Sequence, residues 1–216
     1  MILAIYCSGD AGRDILNLVQ KENKWEKIIF IDDVVDSREV CGVDVYRFAE
    51  LESLRGNVEI AIGNGEPTNR KKLFEKIKDA GYPIATIVAK SANIQSGAQI
   101  GEGCILYDCV VATDAMIHAN TVVGGGSAVG HGDVIGENCV IGARVFIAGN
   151  CQIGDLVYIA PGALLKDRIR VGDFAIISMG AVVLRNVKEK SIMIGNPAKR
   201  IGMNEIGKVF NMFELE

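Results

Sequence analysis

The stretch Ile117–Val183 reads IHANTVVGGGSAVGHGDVIGENCVIGARVFIAGNCQIGDLVYIAPGALLKDRIRVGDFAIISMGAVV, and every sixth residue of it is Ile, Val or Leu. The series runs Ile117, Val123, Val129, Ile135, Ile141, Ile147, Ile153, Ile159, Leu165, Val171, Ile177 and Val183. Gly or Ala follows most of these, as at Gly124, Gly130, Gly136, Gly142, Ala148, Gly154, Ala160 and Gly172. Three residues further on a small or slim side chain recurs: Thr121, Ser127, Cys139, Val145, Cys151, Val157, Ala163, Ala175 and Ala181. A step of six matches neither the 3.6 of a helix nor the 2 of a flat strand. It matches a solenoid whose faces are short strands with a corner every six residues. The bulky residue fills the axis, the small one fits beside it, and Gly or Ala relieves the corner. An earlier run (Ile94, Ile100, Leu106, Ala112) keeps the same step one residue out of phase. With three hexads to a coil, Ile94–Val187 is expected to make roughly five coils of a left-handed parallel β-helix. That hand is an exception to the usual right-handed crossover.

Upstream the pattern changes. Strand candidates Ile2–Tyr6, Ile28–Ile31, Val58–Ile62 and Ile84–Val88 alternate with helical spacing over Ile15–Lys21 and Asn69–Ala80. Alternation of this kind predicts a small Rossmann-like α/β domain over residues 1–90. The solenoid then occupies 91–190 and a tail 191–216. The tail carries Gly195-Asn196-Pro197-Ala198-Lys199-Arg200 and a short amphipathic candidate, Ile206, Val209, Phe210 and Phe213. Ligands of parallel sheets gather beyond the carboxyl ends of the strands. The loops there are Cys7-Ser8-Gly9-Asp10-Ala11-Gly12, suited to phosphate at a helix start, Asp32-Asp33, suited to ribose hydroxyls or a base edge, and Gly63-Asn64. The full G-x-G-x-x-G fingerprint is missing, so a dinucleotide is not implied.

Composition narrows the class. The 216 residues carry a formal net charge of −4, which excludes a general nucleic-acid binder. Between Ala163 and Arg200, however, eight basic residues (Lys166, Arg168, Arg170, Arg185, Lys188, Lys190, Lys199, Arg200) face three acidic ones. That local excess suits a small polyanion. No apolar run approaches the ~18 residues of a membrane span, and the short apolar start reads as a strand rather than a signal peptide. Six cysteines show no C-x-x-C pair, and Cys104, Cys139 and Cys151 fall at the slim inward hexad position. Free thiols in a cytoplasmic protein are therefore expected.

Two histidines are present. His131 lies among glycines, Gly130-His131-Gly132-Asp133, where open space favours a substrate and imidazole suits proton transfer near neutral pH. His118 sits at a corner usually given to Gly or Ala. Two histidines without a carboxylate or cysteine cluster argue against a metal centre, and no G-x-S-x-G elbow supports a serine triad.

The hexads, the histidine within them, the terminal Gly-Asn-Pro-Ala-Lys, Ile62-Gly63-Asn64 and Asn69-Arg70-Lys71-Lys72 together resemble the sialic acid O-acetyltransferase family of hexapeptide acyltransferases. The likeness is strongest to its branch of bacterial nucleotide-amino-sugar N-acetyltransferases and covers about 200 residues. The resemblance implies a cytoplasmic homotrimer serving glycan or surface-polysaccharide synthesis, with acetyl-CoA between adjacent solenoids and a nucleotide sugar on the N-terminal domain. It implies His131 as the base and the Gly149 N–H as the donor to the thioester oxygen. Ala160, Ser178 and Gly180 would follow the pantetheine, and Lys166 and Lys199 the CoA phosphates. Asp32, Asp33, Gly63 and Asn64 would hold the nucleotide, with Ser8 and Gly9 near its phosphates.

The chain departs from the family pattern in four places. Relatives often carry acidic residues on both sides of the histidine, where this chain has Gly130 and Gly132. A polar residue seven positions earlier is Gly124 here, and a substrate-facing histidine is Ala11. Asp133 is left as a candidate to orient His131. Two other readings share these residues: O-acetylation of a sugar such as sialic acid, and a non-catalytic binding paralogue.

Overall fold

A computed structural model describes residues 1–21 and 24–210. It divides into two compact units, Met1–Gly65 with Asn69–Ile87, and Glu66–Thr68 with the chain from Val88 onward.

The first unit contains β1 (Ile2–Tyr6), α1 (Asp10–Val19), β2 (Lys27–Ile31), β3 (Glu39–Val40), β4 (Val43–Tyr46), β5 (Val58–Ile62) and most of α2 (Pro67–Asp79). The strand order is β3-β4-β2-β1-β5, parallel except for the β3–β4 hairpin. β1 is central, with Ala4 opposite Ile29 on one side and Ile60 on the other. All three are fully buried, as expected for a sheet covered on both faces. The chain leaves β1 towards β2 and later returns to β5 on its other side. The strand order thus reverses at β1, and a crevice lies beyond the carboxyl ends of β1, β2 and β5.

Three sequence expectations change here. α1 starts at Asp10, directly after Gly9, five residues before the first apolar residue of its stripe. The β3–β4 hairpin and the 3₁₀ turn Phe48–Leu54 were not expected. The expected strand Ile84–Val88 reduces to one bridge, Ile84 to Ile60, and its last residue, Val88, belongs to the second unit.

The second unit is a prism of two-residue strands in three parallel sheets. For reference, face A holds Val140–Ile141, Tyr158–Ile159 and Ile176–Ile177; face B holds Phe146–Ile147, Leu164–Leu165 and Val182–Val183; face C holds Gln152–Ile153 and Arg170–Val171. Pairing steps by one coil of 18 residues, so Val129, Ile147, Leu165 and Val183 stack in register along the axis. Each of these is at least 98% buried. The residue before each points outward, which is why only one residue in six had to be bulky and apolar.

The phase slip noticed upstream has a simple cause. Val111, not Ala112, pairs with both Ile94 and Val129. The corner between Leu106 and Val111 is one residue short, and the series properly begins at Val111. At the other end Ser191–Ile194 joins face A and pairs antiparallel with Lys199–Met203. Residues placed in a separate tail thus extend the prism. Of the amphipathic candidate, Ile206, Val209 and Phe210 lie in turns, with the Phe210 ring edge-on to Tyr158, and Phe213 lies outside the described residues.

Corner glycines are demanded by the next coil. A Cβ on Gly142 would stand 2.7 Å from the Pro161 nitrogen, and one on Gly130 would stand 2.7 Å from the Gly149 nitrogen. All six cysteines are unbridged. Cys139 Sγ donates to Gly154 O at 3.1 Å and Cys151 Sγ to Lys166 O at 3.1 Å, so each thiol serves as a compact interior group.

Candidate active site

The edge where face B turns into face C carries His131. Because coils repeat every 18 residues, His131, Gly149, Asp167 and Arg185 are stacked along this edge. His131 is exposed, and its ring lies against Gly149. A Cβ on Gly149 would come within 2.6 Å of Nε2 and 2.8 Å of Nδ1, so only glycine allows the ring this seat. The Asn150 amide donates to His131 O at 2.9 Å and fixes the turn behind it. The Gly149 N–H donates to no acceptor among the described residues and remains available beside the ring.

Lys166 is exposed on the same edge one coil further on. Beyond it lies a cavity of about 430 Å³ lined by Val183, Leu184, Arg185, Asn186, Met193 and the segment Pro197–Arg200. Arg185, Lys199 and Arg200 have no ion pair among the described residues. At about 4.8 Å per coil, Arg185 stands about 14 Å along the edge from His131. An extended chain with an anionic end spans that interval.

Ala160, Ser178 and Gly180 fall elsewhere, on the edge between faces A and B. Gly162 and Gly180 stack there, and a Cβ on either would meet nothing within 4 Å. The residues expected to follow pantetheine therefore occupy a different edge of the same chain from His131.

Asp133 makes no direct hydrogen bond to the imidazole. It occupies the slim inward position of its hexad and is 0% exposed. Its Oδ2 accepts the Gly130 N–H at 2.7 Å and its Oδ1 the Cys151 N–H at 2.8 Å. Burial pushes the carboxyl up to about 7, against the lowering effect of those two bonds. The position Gly130 fills has no room for a side chain, and Gly132 has a φ of +64° that favours glycine. His118 is half-buried, and its carbonyl accepts the Cys104 thiol at 3.0 Å.

The crevice of the first unit is a cavity of about 300 Å³ lined by Tyr6, Cys7, Asp32, Asp33, Val34, Asn64, Asn69, Lys72, Leu73 and Lys76. The two aspartates play different parts. Asp32 is turned to its own backbone, accepting Ser8 N (2.9 Å), Ser8 Oγ (2.8 Å), Val34 N (3.0 Å) and Val35 N (3.1 Å). Burial would lift its carboxyl, yet these bonds hold it below the usual range. Ser8 is thereby used in shaping the loop. Asp33 accepts from the Tyr6 hydroxyl, Lys76 Nζ (2.9 Å) and Phe48 N (2.9 Å). Burial again pushes up, but these donors bring it to about 2. Lys76 also donates to the Tyr6 hydroxyl at 2.6 Å and sits 4.4 Å from the Phe48 ring centroid, with Tyr6 stacked on Phe48.

Gly63 packs on Gly12, and a Cβ there would come within 2.6 Å of the Gly12 Cα. Its role is close approach between the loops. Gly9 is open, with nothing within 4 Å of a Cβ, at the N-terminus of α1. Asn64 Nδ2 reaches Cys7 Sγ at 3.7 Å, and the fully buried Arg70 donates to Ile62 O (2.7 Å) and Asn64 O (3.1 Å), fixing that loop. Tyr6, Lys72 and Lys76 were not among the expected site residues. The spacing of Asn69, Lys72 and Lys76 at i, i+3 and i+7 did place them on one helical face.

Among the described residues no helix is long and apolar enough to cross a membrane, and no group of three His, Cys, Asp or Glu side chains is placed to hold a metal.

Comparison with known proteins places these features. Residues 134–167 match the bacterial transferase hexapeptide (six repeats) family, and residues 2–77 match the PglD N-terminal domain. A GDP-perosamine N-acetyltransferase of Escherichia coli O157:H7 is 27% identical over 202 residues, spanning 90% of this chain and 83% of that protein. Solved structures that share the fold include two examples. The acetyltransferase domain of PglB from Neisseria gonorrhoeae FA1090 has TM-score 0.88 at 22% identity, covering 93% of this chain and 99% of that one. PerB from Caulobacter crescentus, in complex with CoA and GDP-perosamine, has TM-score 0.87 at 23% identity, covering 94% and 98%. The resemblance read from the hexads and the N-terminal loops thus extends over both units.

Proposed function

We propose that this chain, a hexapeptide-repeat transferase with a PglD-type N-terminal domain, is an acetyl-CoA-dependent N-acetyltransferase acting on a nucleotide-linked amino sugar. One observation carries the reading. His131 and the free Gly149 N–H share one edge of the prism, and that edge runs on to the cations Lys166, Arg185 and Lys199. A base, an oxyanion donor and a polyanion site in line are what acyl transfer from a CoA thioester requires.

Acetyl-CoA would supply an activated acetyl group and a good leaving thiolate. His131 takes a proton from the sugar amine as nitrogen attacks the acetyl carbon. The Gly149 N–H donates to the carbonyl oxygen as it gains charge, a contribution of about 3 kcal/mol for donors of this type. The proton held by His131 then leaves with the CoA sulfur, and an amide remains on the sugar. The crevice of the first unit takes the nucleotide. Lys72 is a cation for its phosphates, the open Gly9 amide end of α1 a second anion seat, and Asn64 and the Asp33 carboxylate meet the base or ribose.

The same reading makes the working form a cytoplasmic homotrimer serving glycan or surface-polysaccharide synthesis. Face B supports the assembly: Val110, Phe146 and Leu164 project from it at 37%, 51% and 44% exposure, with Ala128 and Val182 between and beyond them. An apolar stripe of this extent is suited to another copy of the chain. Assembly also supplies a reason for pantetheine contacts on two edges, since the A/B edge of one copy can face the B/C edge of another.

The experiment is an acceptor panel. Purified protein with acetyl-CoA should release free thiol only when an amino-sugar nucleotide is added. Release with hydroxyl sugars alone would mean O-acetylation, and tight CoA binding without release on any acceptor would mean a non-catalytic protein.

A further inference from the structure

The interior column that runs beside the axis, from Thr121 to Ala181, holds neutral side chains, small or slim except for Ile169, and a single carboxyl, that of Asp133. Thr121 and Ser127 show what the column does. Thr121 Oγ1 accepts from Cys139 N (3.0 Å) and donates to Gly136 O (2.8 Å), and Ser127 Oγ accepts from Val145 N (3.0 Å) and donates to Gly142 O (2.8 Å). Each hydroxyl fastens one coil to the next and carries no charge. Asp133, the following member, performs the same fastening through Oδ1 to Cys151 N. Where the hydroxyls donate to a carbonyl, it instead accepts a second N–H, that of Gly130, at Oδ2.

The two amides it gathers are not neutral choices. Gly130 immediately precedes His131, and Cys151 follows Gly149 by two residues. A buried carboxylate is expensive to solvate poorly, and a serine serves the stacking role one hexad earlier. The extra expense matches a task at this turn alone.

We propose that Asp133 is a positioning residue: its carboxylate, sealed in the prism, clamps the turn bearing His131 to the turn bearing Gly149. The catalytic consequence rests on the acetyl-transfer reading, whereas the clamp itself is a matter of geometry. Loosening it lets the imidazole and the oxyanion donor drift apart, and a displacement of ~1 Å can cost ~100-fold in rate. The residue touches neither substrate and acts only through the backbone.

The test uses the full chain and the variants Asp133→Ser and Asp133→Asn. In the wild type, the Gly130 and Cys151 amide resonances should move together in a pH titration with a midpoint near 7, the value burial gives this carboxyl. The other titratable or charged groups on these turns and on the turns packed against them are the His131 imidazole, the Cys151 thiol, Asp114, Lys166, Asp167 and Arg168, and all remain in the variants. A midpoint that vanishes in Asp133→Ser therefore belongs to Asp133. The His131 ring signals should shift in Asp133→Ser, kcat should fall ~10- to 100-fold, and KM for acetyl-CoA should stay within ~2-fold. Asp133→Asn keeps one acceptor and should fall between. Gly130 and Cys151 amides that do not titrate, ring signals that stay in place, or an Asp133→Ser kcat within ~2-fold of wild type would overturn the clamp. Wild-type protein that acetylates no amine would instead remove the functional reading, and the amide titration, compared between wild type and Asp133→Ser and needing no turnover, would still decide the clamp.

Discussion

At the scale of single residues, His131 and Gly149 form the unit on which the proposed chemistry turns. His131→Ala should lower kcat by ~10²- to 10⁴-fold with little change in acetyl-CoA binding, measured by steady-state thiol release and calorimetry. Gly149→Ala should cost nearly as much for a different reason. Its methyl would occupy the space of the imidazole, 2.6 Å from Nε2, so the ring must leave. Asp133 makes a prediction about stability. Its folded carboxyl, at about 7, lies above the unfolded value near 4, so the folded state holds the proton more tightly. Stability from this group is complete below pH ~4 and is lost as pH rises through ~7. Thermal melts should show that decline in wild type and not in Asp133→Ser. His131 was legible because an imidazole between glycines is conspicuous in a line of text. The inward seat of Asp133 was equally available from the six-residue phase, since 133 follows 121 and 127, but its proximity to His131 in sequence invited a direct partnership that the prism forbids.

At the scale of elements, the crevice beyond β1, β2 and β5 is the proposed nucleotide site. The strand-end rule located Asp32 and Asp33 from sequence, yet could not divide their labour. Which aspartate faces its own loop and which faces Lys76 depends on α2, whose contact with β1 joins residues 70 apart. The Asp33 carboxyl, at about 2, lies below its unfolded value, so its contribution is full above pH ~4 and disappears as pH falls towards 2. Lys76→Met removes a donor and should raise the acid-unfolding midpoint, followed by circular dichroism, and should raise KM for the nucleotide sugar. On the B/C edge, Lys166→Glu should raise KM for acetyl-CoA several-fold at low salt, with the difference shrinking as ionic strength increases. The Ile84–Val88 expectation failed at this scale because a short apolar run does not say which sheet it joins.

For the molecule as a whole, the six-residue period foretold the prism, and its phase told where each bulky side chain points. What it could not announce was the one-residue-short corner before Val111 or the return of residues 191–203 to face A, because both depend on pairing with distant coils. The outward stripe on face B was equally implicit, since Phe146 and Leu164 each precede a core position. Phe146→Glu should yield a smaller species in analytical ultracentrifugation and lose acetyl transfer with it. The most direct measurement of the central claim is product analysis by mass spectrometry after incubating wild type and His131→Ala with acetyl-CoA and a panel of nucleotide-linked amino sugars. The account predicts one acetyl group, amide-bound at the sugar nitrogen, with wild type and almost none with His131→Ala. An unmodified sugar with the wild type, or equal acetylation by the variant, would contradict it.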